Sequence, residues 1–248
     1  MLAETRRTYK ASLKPADSLF NLYLARPLAA PLVVACARTR LTPNQITFVS
    51  LFIMLGAAAG FIALPGLWGV WVGVGLVELS YVFDCVDGQL ARVTGRTSAV
   101  GGSLDFLMDE LKAALLIAAL TARWVLHEGG GLTAVWVGLG TLVVLSWALS
   151  ITKFVRSPEY AQATGAKALK HGEAAGAARA QGGLLWPLKA AIRSISQYPG
   201  TLPIFAAFDA LPIFVYAYGA VHLLYVGQSG LMLVWKLGRF APPPGDEP

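Results

Sequence analysis

The stretch YVFDCVDGQLARVTGRTSAVGGSLDFLMDELK, residues 81–112, sets four aspartates, Asp84, Asp87, Asp105 and Asp109, among apolar runs long enough to cross a membrane. Around it the chain of 248 residues is 56% hydrophobic and only 14% charged, with a mean hydropathy of +0.58, outside the usual soluble range. ITFVSLFIMLGAAAGFIAL (46–64) and LTAVWVGLGTLVVLSWALSI (132–151) approach the roughly 20 apolar residues of a spanning helix. The expected solvent is therefore a bilayer. The charged opening MLAETRRTYK is not followed by a short apolar core and cleavage site, so the first span is expected to act as the insertion signal.

The net charge of +6 does not point to nucleic acid, because the basic residues are sorted by side of the membrane. Arg6, Arg7, Lys10, Lys14, Arg26, Arg38 and Arg40 precede the first span, and Arg92 and Arg96 separate the second from the third. Lys153, Arg156, Lys167, Lys170, Arg179, Lys189 and Arg193 follow the fourth, and Lys236 and Arg239 close the last. Arg123 is the exception. The positive-inside rule then puts both termini and the aspartate loop in the cytoplasm, which requires an even number of spans. The expected fold is an all-α integral membrane protein of six transmembrane helices preceded by a membrane-surface helix within 15–40. Its division is a cytoplasmic N-terminus and amphipathic surface helix (1–41), a six-helix catalytic domain (42–240) and a cytoplasmic tail (241–248).

Local signals place the boundaries. Thr42 caps and Pro43 opens the first span at LTPNQIT, and Pro65-Gly66 turns into the second, about Leu67 to Arg92. The third runs from about Ala99 to Leu126 and the fourth from 132 to 152, followed by a polar, Ala/Gly-rich loop or short surface helix, 157–183. Region 199–238, broken by Pro203, Asp209 and Pro212, is long enough for two more, with Asp209 a turn residue. Trp68, Trp71, Trp124 and Trp235 fall near span ends as interface anchors. Cys36 and Cys85 form neither a disulfide framework nor a zinc site and read as packing residues. His127, His171 and His222 lack metal-ligand spacing.

Ionisable groups inside spans are costly and usually functional, so four carboxylates within 26 residues call for a compensating cation. Helical spacing lines up Asp84, Asp87, Gly88 and Ala91 on one face of span two, and Gly101, Asp105 and Asp109 on one face of span three. A short connection makes the two spans antiparallel neighbours, aiming the carboxylates into one pocket at the cytoplasmic end. Oxygen-only sites suit hard cations, Mg2+ or Mn2+, and magnesium is typically shared between carboxylates and substrate phosphates. Gly88, Ala91, Gly101 and Gly102 leave room for a ligand, and Arg92 is placed to pair with a diphosphate or to hold an aspartate. Lys153 and Arg156, at the cytoplasmic end of span four, suit either an anionic acceptor or lipid head groups.

Written out, Asp84-x2-Asp87-Gly88-x2-Ala91-Arg92-x8-Gly101-x3-Asp105-x3-Asp109 resembles the signature of the CDP-alcohol phosphotransferases, integral membrane enzymes of lipid synthesis, with all eight signature positions filled. The TPNQIT opening and the six-span layout are similar as well. The resemblance implies attack of an acceptor hydroxyl on the β-phosphorus of a CDP-alcohol, usually CDP-diacylglycerol, with release of CMP. It also implies that Asp84, Asp87 and Asp105 ligate metal, that Asp109 is the general base near or on a second metal, and that Gly88, Ala91 and Gly101 line the cytidine site. A homodimer follows from the same source, and the small single-domain chain points to a bacterial plasma membrane. Glu110 departs from the pattern, standing where many members carry a basic residue. Lys112, one turn on and roughly on the face of Asp105, either balances charge or snorkels to the surface. Glu78 has no assigned role. The acceptor is left open among glycerol 3-phosphate, serine, an inositol phosphate and others. Rival readings are a CDP-polyol (inositol-type) phosphotransferase, a divalent-metal transporter, whose carboxylates would be spread over several depths and helices, and an inactive scaffold.

Overall fold

The structure, a computed structural model, describes residues 2–11, 20–164 and 197–237, and these are helical with no strand among them. Helix α1 (Leu2–Ala11) is followed by a π-helical turn (Asn21–Ala25) that runs into α2 (Arg26–Ala37). The long helices are α3 (Pro43–Ala63), α4 (Gly66–Val93), α5 (Ala99–His127) and α6 (Gly131–Val155). Two short helices, α7 (Pro158–Thr164) and α8 (Leu202–Ala207), precede α9 (Leu211–Leu237). Lys14, Lys167, Lys170, His171, Arg179, Lys189, Arg193, Arg239, most of the 157–183 loop and the 241–248 tail lie outside the described residues.

The boundaries follow from local chemistry. Thr42 and Gln45 form a reciprocal capping box at the start of α3, the Thr42 N–H donating to Gln45 Oε1 at 2.9 Å, and Pro43 fills the first helical turn. Gly66 takes φ +62° at the α3–α4 turn, a conformation that a side chain would strain. Ser98 caps α5 by accepting from Gly101 N–H at 2.9 Å. The α3–α4 hairpin closes tightly because a Cβ on Gly73 would sit 2.5 Å from the Phe61 ring, the small-residue contact by which helices approach in lipid.

Among the described residues four helices, α3, α4, α6 and α9, are long and apolar enough to cross a membrane, and the protein is an integral membrane protein. At 29 residues α5 matches them in length but carries Asp105, Asp109, Glu110 and Lys112 in its first half. A single core joins them. Met54 and Phe61 of α3, Val77 of α4, Leu116 and Leu120 of α5, Leu145 of α6 and Phe214 of α9 are all buried in it. A smaller cluster packs Ala29 and Val33 of α2 against Ile46, Val86 and Leu90, with Cys36 and Cys85 at its edge as packing residues. Tyr81 fixes the turn before α2 by donating to Asn21 Oδ1 at 2.6 Å. The N-terminal segment is thus docked under the aspartate-bearing end of α4.

Region 199–238 differs in detail from two evenly divided spans. Pro203 occupies the first turn of α8 and Pro212 that of α9, so both prolines start helices where their missing N–H costs nothing. Asp209, exposed at φ +52°, makes the break between them. α9 then runs unbroken for 27 residues. Arg123, the basic residue on the wrong side, is buried and staples the opposite end of the bundle. It donates to Leu64 O at 3.0 Å, just past the end of α3, to Gly66 O at 2.8 Å, at the start of α4, and to Glu128 at 2.9 Å, tying the α3–α4 turn to α5. Trp68 and Trp235 are exposed at helix ends, whereas Trp124 meets Tyr216 of α9 edge to face.

Candidate functional site

α4 and α5 are joined by residues 94–98 but do not pack side by side as the short link led one to expect; α3 packs against both, and their aspartates meet through their side chains at one end of the bundle. One carboxylate oxygen from each of Asp84, Asp105 and Asp109 lies within 4.8 Å of the other two. Asp87, one turn from Asp84, is set apart from this group. It is buried against α3, and its Oδ2 accepts from the Thr47 hydroxyl at 2.5 Å. Asp87 and Asp105 both line a cleft of about 210 Å³ between the starts of α3 and α5 and the end of α4. Gly88, Ala91, Arg92, Arg96, Gly101 and Gly102 complete its walls, with Asn44 and Thr47 on the α3 side.

The small residues keep this cleft open. A Cβ on Gly101 would come 3.1 Å from Ser98 Oγ and 3.5 Å from Asn44 Oδ1, and one on Gly88 would come 3.4 Å from the Arg92 guanidinium. Larger side chains at either position would fill the space that the cleft offers. The cleft therefore pairs acidic groups at its inner end with arginines at its rim, a charge pattern that fits a metal-bound phosphate ester of a flat, polar group.

Lys112 is buried, with its ammonium bonded to Asp84, to Asp109 at 2.9 Å and to Ser50 Oγ at 3.2 Å. It does not snorkel to the surface. Asp109, by contrast, keeps a side chain 43% exposed and open to a reactant. The donor set fits a hard divalent cation. It is made of carboxylate oxygens, three of them already converge, and the single ammonium in contact with Asp84 and Asp109 does not offset four acidic groups. Arg156 lies over the Phe106 ring at 5.5 Å, next to Asp105 in sequence, and Lys153 is exposed facing Glu110. Both belong to the same end of the bundle but do not line the cleft.

Sequence reasoning missed Thr47, Ser50, Asn44 and Arg96. Thr47 and Ser50 sit one and two turns into α3, a depth that the antiparallel layout assigns to the aspartates, and that depth was the available signal. Glu78 has a role in the fold, accepting from Gly200 N–H at 3.1 Å and anchoring the segment before α8. His127 and His222 bond backbone oxygens of Ile62 and Tyr218, each at 2.8 Å, consistent with structural roles.

A membrane protein, helical throughout its described residues, whose successive helices bring carboxylates together beside a cleft flanked by glycine and arginine defines a class of membrane-embedded acidic-site proteins. The chain belongs within it to the CDP-alcohol phosphatidyltransferase family, whose sequence profile matches residues 40–235. It is 30% identical over 104 residues to the phosphatidylinositol phosphate synthase of Corynebacterium glutamicum, covering 42% of this chain and 46% of that one. It is 29% identical over 124 residues to the archaetidylinositol phosphate synthase of Methanothermobacter thermautotrophicus, covering 50% of this chain and 57% of that one. The chain spans about half the length of these relatives. The crystal structure of Mycobacterium tuberculosis phosphatidylinositol phosphate synthase with CDP-DAG bound aligns at a TM-score of 0.47 and 19% identity, over 88% of this chain and 95% of that one.

Proposed function

We propose that the protein transfers a phosphatidyl group from CDP-diacylglycerol to the hydroxyl of an inositol phosphate, releasing CMP, in phospholipid synthesis. The observation that carries this reading is the filled family signature gathered at one end of the bundle, where oxygens of Asp84, Asp105 and Asp109 lie within 4.8 Å of one another and Asp105 also lines a cleft with Asp87, Arg92 and Arg96. The acceptor class is drawn from the names of the relatives, which are phosphatidylinositol phosphate and archaetidylinositol phosphate synthases.

In this mechanism Gly88, Ala91 and Gly101 admit the cytidine, and Arg92 pairs with the diphosphate. Asp84, Asp87, Asp105 and Asp109 would hold Mg2+ or Mn2+, which neutralises the diphosphate and the departing CMP when bound. Asp109, the most open of the bonded carboxylates, takes the proton of the acceptor hydroxyl as its oxygen attacks the β-phosphorus. The new P–O bond forms as the bond to CMP breaks, and CMP leaves with the electron pair. Lys153 and Arg156 receive the acceptor's phosphate from the α6 side. Aspartates confined to two adjacent helices at one end favour this reading over a metal transporter, which needs carboxylates along a path.

Six crossings belong to the same proposal. α3, α4, α5 and α6 supply four, and the region 199–238, which holds α8 and α9, supplies the last two, returning both termini to the cytoplasm. α2 lies along the membrane surface, with 1–41, 42–240 and 241–248 dividing the chain, and the protein works as a homodimer in a bacterial inner membrane. The test is product formation by purified protein with CDP-diacylglycerol, Mg2+ and a panel of acceptors. An inositol phosphate is expected to give a phosphodiester with stoichiometric CMP. Product from glycerol 3-phosphate or serine alone would overturn the acceptor assignment.

A further inference from the structure

Lys112 is a full positive charge buried in the first half of α5, 1% exposed, and its ammonium reaches three helices. It contacts Asp84 of α4, Asp109 three residues back on its own helix at 2.9 Å, and Ser50 Oγ of α3 at 3.2 Å. Two of the three carboxylates whose oxygens converge are therefore already bonded to a cation that the chain itself supplies.

Without that cation Asp84 and Asp109 would lose the ammonium that lies between them, a steep cost in a poorly solvated interior. With it, the cluster is held in register before any metal arrives. The same contacts work against metal binding, because a divalent ion must take Asp84 and Asp109 oxygens from the ammonium and then sit near a like charge. We propose that Lys112 is a resident counter-cation of the aspartate cluster, which stabilises the metal-free protein and lowers its affinity for the divalent metal. This rests on the reading of Asp84 and Asp109 as metal ligands. Lys112 is a positioning residue here. It acts on the carboxylates and does not touch the substrate.

The sign separates this role from plain packing. Removing a unit charge several ångströms from a divalent ion changes affinity on the order of tenfold even at a high effective dielectric. The experiment uses the full-length protein in detergent. Mn2+ binding is followed by loss of the free-ion electron paramagnetic resonance signal, and melting temperature is measured in EDTA and in saturating Mn2+, for wild type, Lys112→Met, Lys112→Gln and Lys112→Arg. The neutral variants are expected to bind Mn2+ about tenfold more tightly, to melt lower in EDTA and to recover most of that loss in Mn2+. Lys112→Arg, which keeps the charge, should stay within about threefold of wild type.

Unchanged or weaker Mn2+ binding in both neutral variants, or a melting loss that Mn2+ does not reduce, would overturn the proposal. If Lys112→Met is not recovered folded in EDTA, its recovery in Mn2+ supports the proposal, and failure of both neutral variants to fold in Mn2+ overturns it. Wild type that binds no Mn2+ would instead overturn the metal reading of the aspartates, and this inference with it.

Discussion

Thr47→Val replaces a hydroxyl by a methyl of nearly the same shape and removes a donor from a buried carboxylate. The Thr47 hydroxyl has one proton and two acceptors within reach, Asp87 Oδ2 at 2.5 Å and Pro43 O at 3.2 Å, and the shorter, charged contact takes it. Thr47 and Asp87 are each only 4% exposed, so water cannot readily replace the lost bond. Hydrogen bonds to charged groups contribute about 1.5–3 kcal/mol, and a buried acceptor left unpaired costs a similar amount. The bond also aims the carboxylate toward the cleft that it shares with Asp105. kcat/KM for CMP release should therefore fall on the order of 10- to 100-fold in Thr47→Val, with a matching rise in the metal concentration needed for half-maximal rate. Thr47→Ser keeps the hydroxyl and should recover most of the activity. The assay is initial-rate CMP release across a Mg2+ titration with all three proteins. A Thr47→Val enzyme within twofold of wild type would show that Asp87 is not oriented by this bond.

Gly101→Val places branched carbons where even a Cβ would lie 3.1 Å from Ser98 Oγ, so KM for the CDP-alcohol should rise at least tenfold while the melting temperature moves little; an unchanged KM would remove Gly101 from the cleft wall. Arg123→Met removes the donor that ties Leu64 O, Gly66 O and Glu128 together, and thermal inactivation in detergent should register a loss of about 3 kcal/mol with KM unaltered, whereas unchanged inactivation would deny the staple. Arg156→Ala should raise KM for the phosphorylated acceptor and leave that for the CDP-alcohol in place. An equal rise in both would move Arg156 away from the acceptor.

Features encoded within one or two helical turns were legible in the sequence. Thr42, Pro43 and Gln45 specify the start of α3 by contacts three residues apart, and Pro65-Gly66 specifies the next turn, so both boundaries could be read without tertiary information. The spacing of Asp84, Asp105 and Asp109 was enough to predict their convergence, but not that α3 packs against both α4 and α5, because a short link fixes where two helices join and not which neighbour each one packs on. Helix rotation was not legible. It decides that Asp87 turns to Thr47 of α3 while Asp84 turns to Lys112, and a stripe on a single helix contains no such choice. Lys112 was ambiguous for a related reason, since a long side chain near a helix end reaches head groups or buried acids equally well until its neighbours are fixed. Pro203 and Pro212 read as breaks because proline signals a helix start and a helix stop with the same residue. Arg123 contradicted the charge pattern of the loops because its partners, the carbonyls at the end of α3, appear in sequence only as ordinary residues.

The central claim is that converged aspartates activate an acceptor hydroxyl against a CDP-alcohol with a divalent metal. CMP release from CDP-diacylglycerol and an inositol phosphate by wild type and Asp109→Asn, each with Mg2+ and with EDTA, tests it most directly. Acceptor-dependent release by wild type in Mg2+ that falls at least 1,000-fold in Asp109→Asn and disappears in EDTA is the expected result, given the roughly 10²- to 10⁴-fold contribution typical of a general base. Release that persists in EDTA, or that survives in Asp109→Asn at the wild-type rate, would contradict the account.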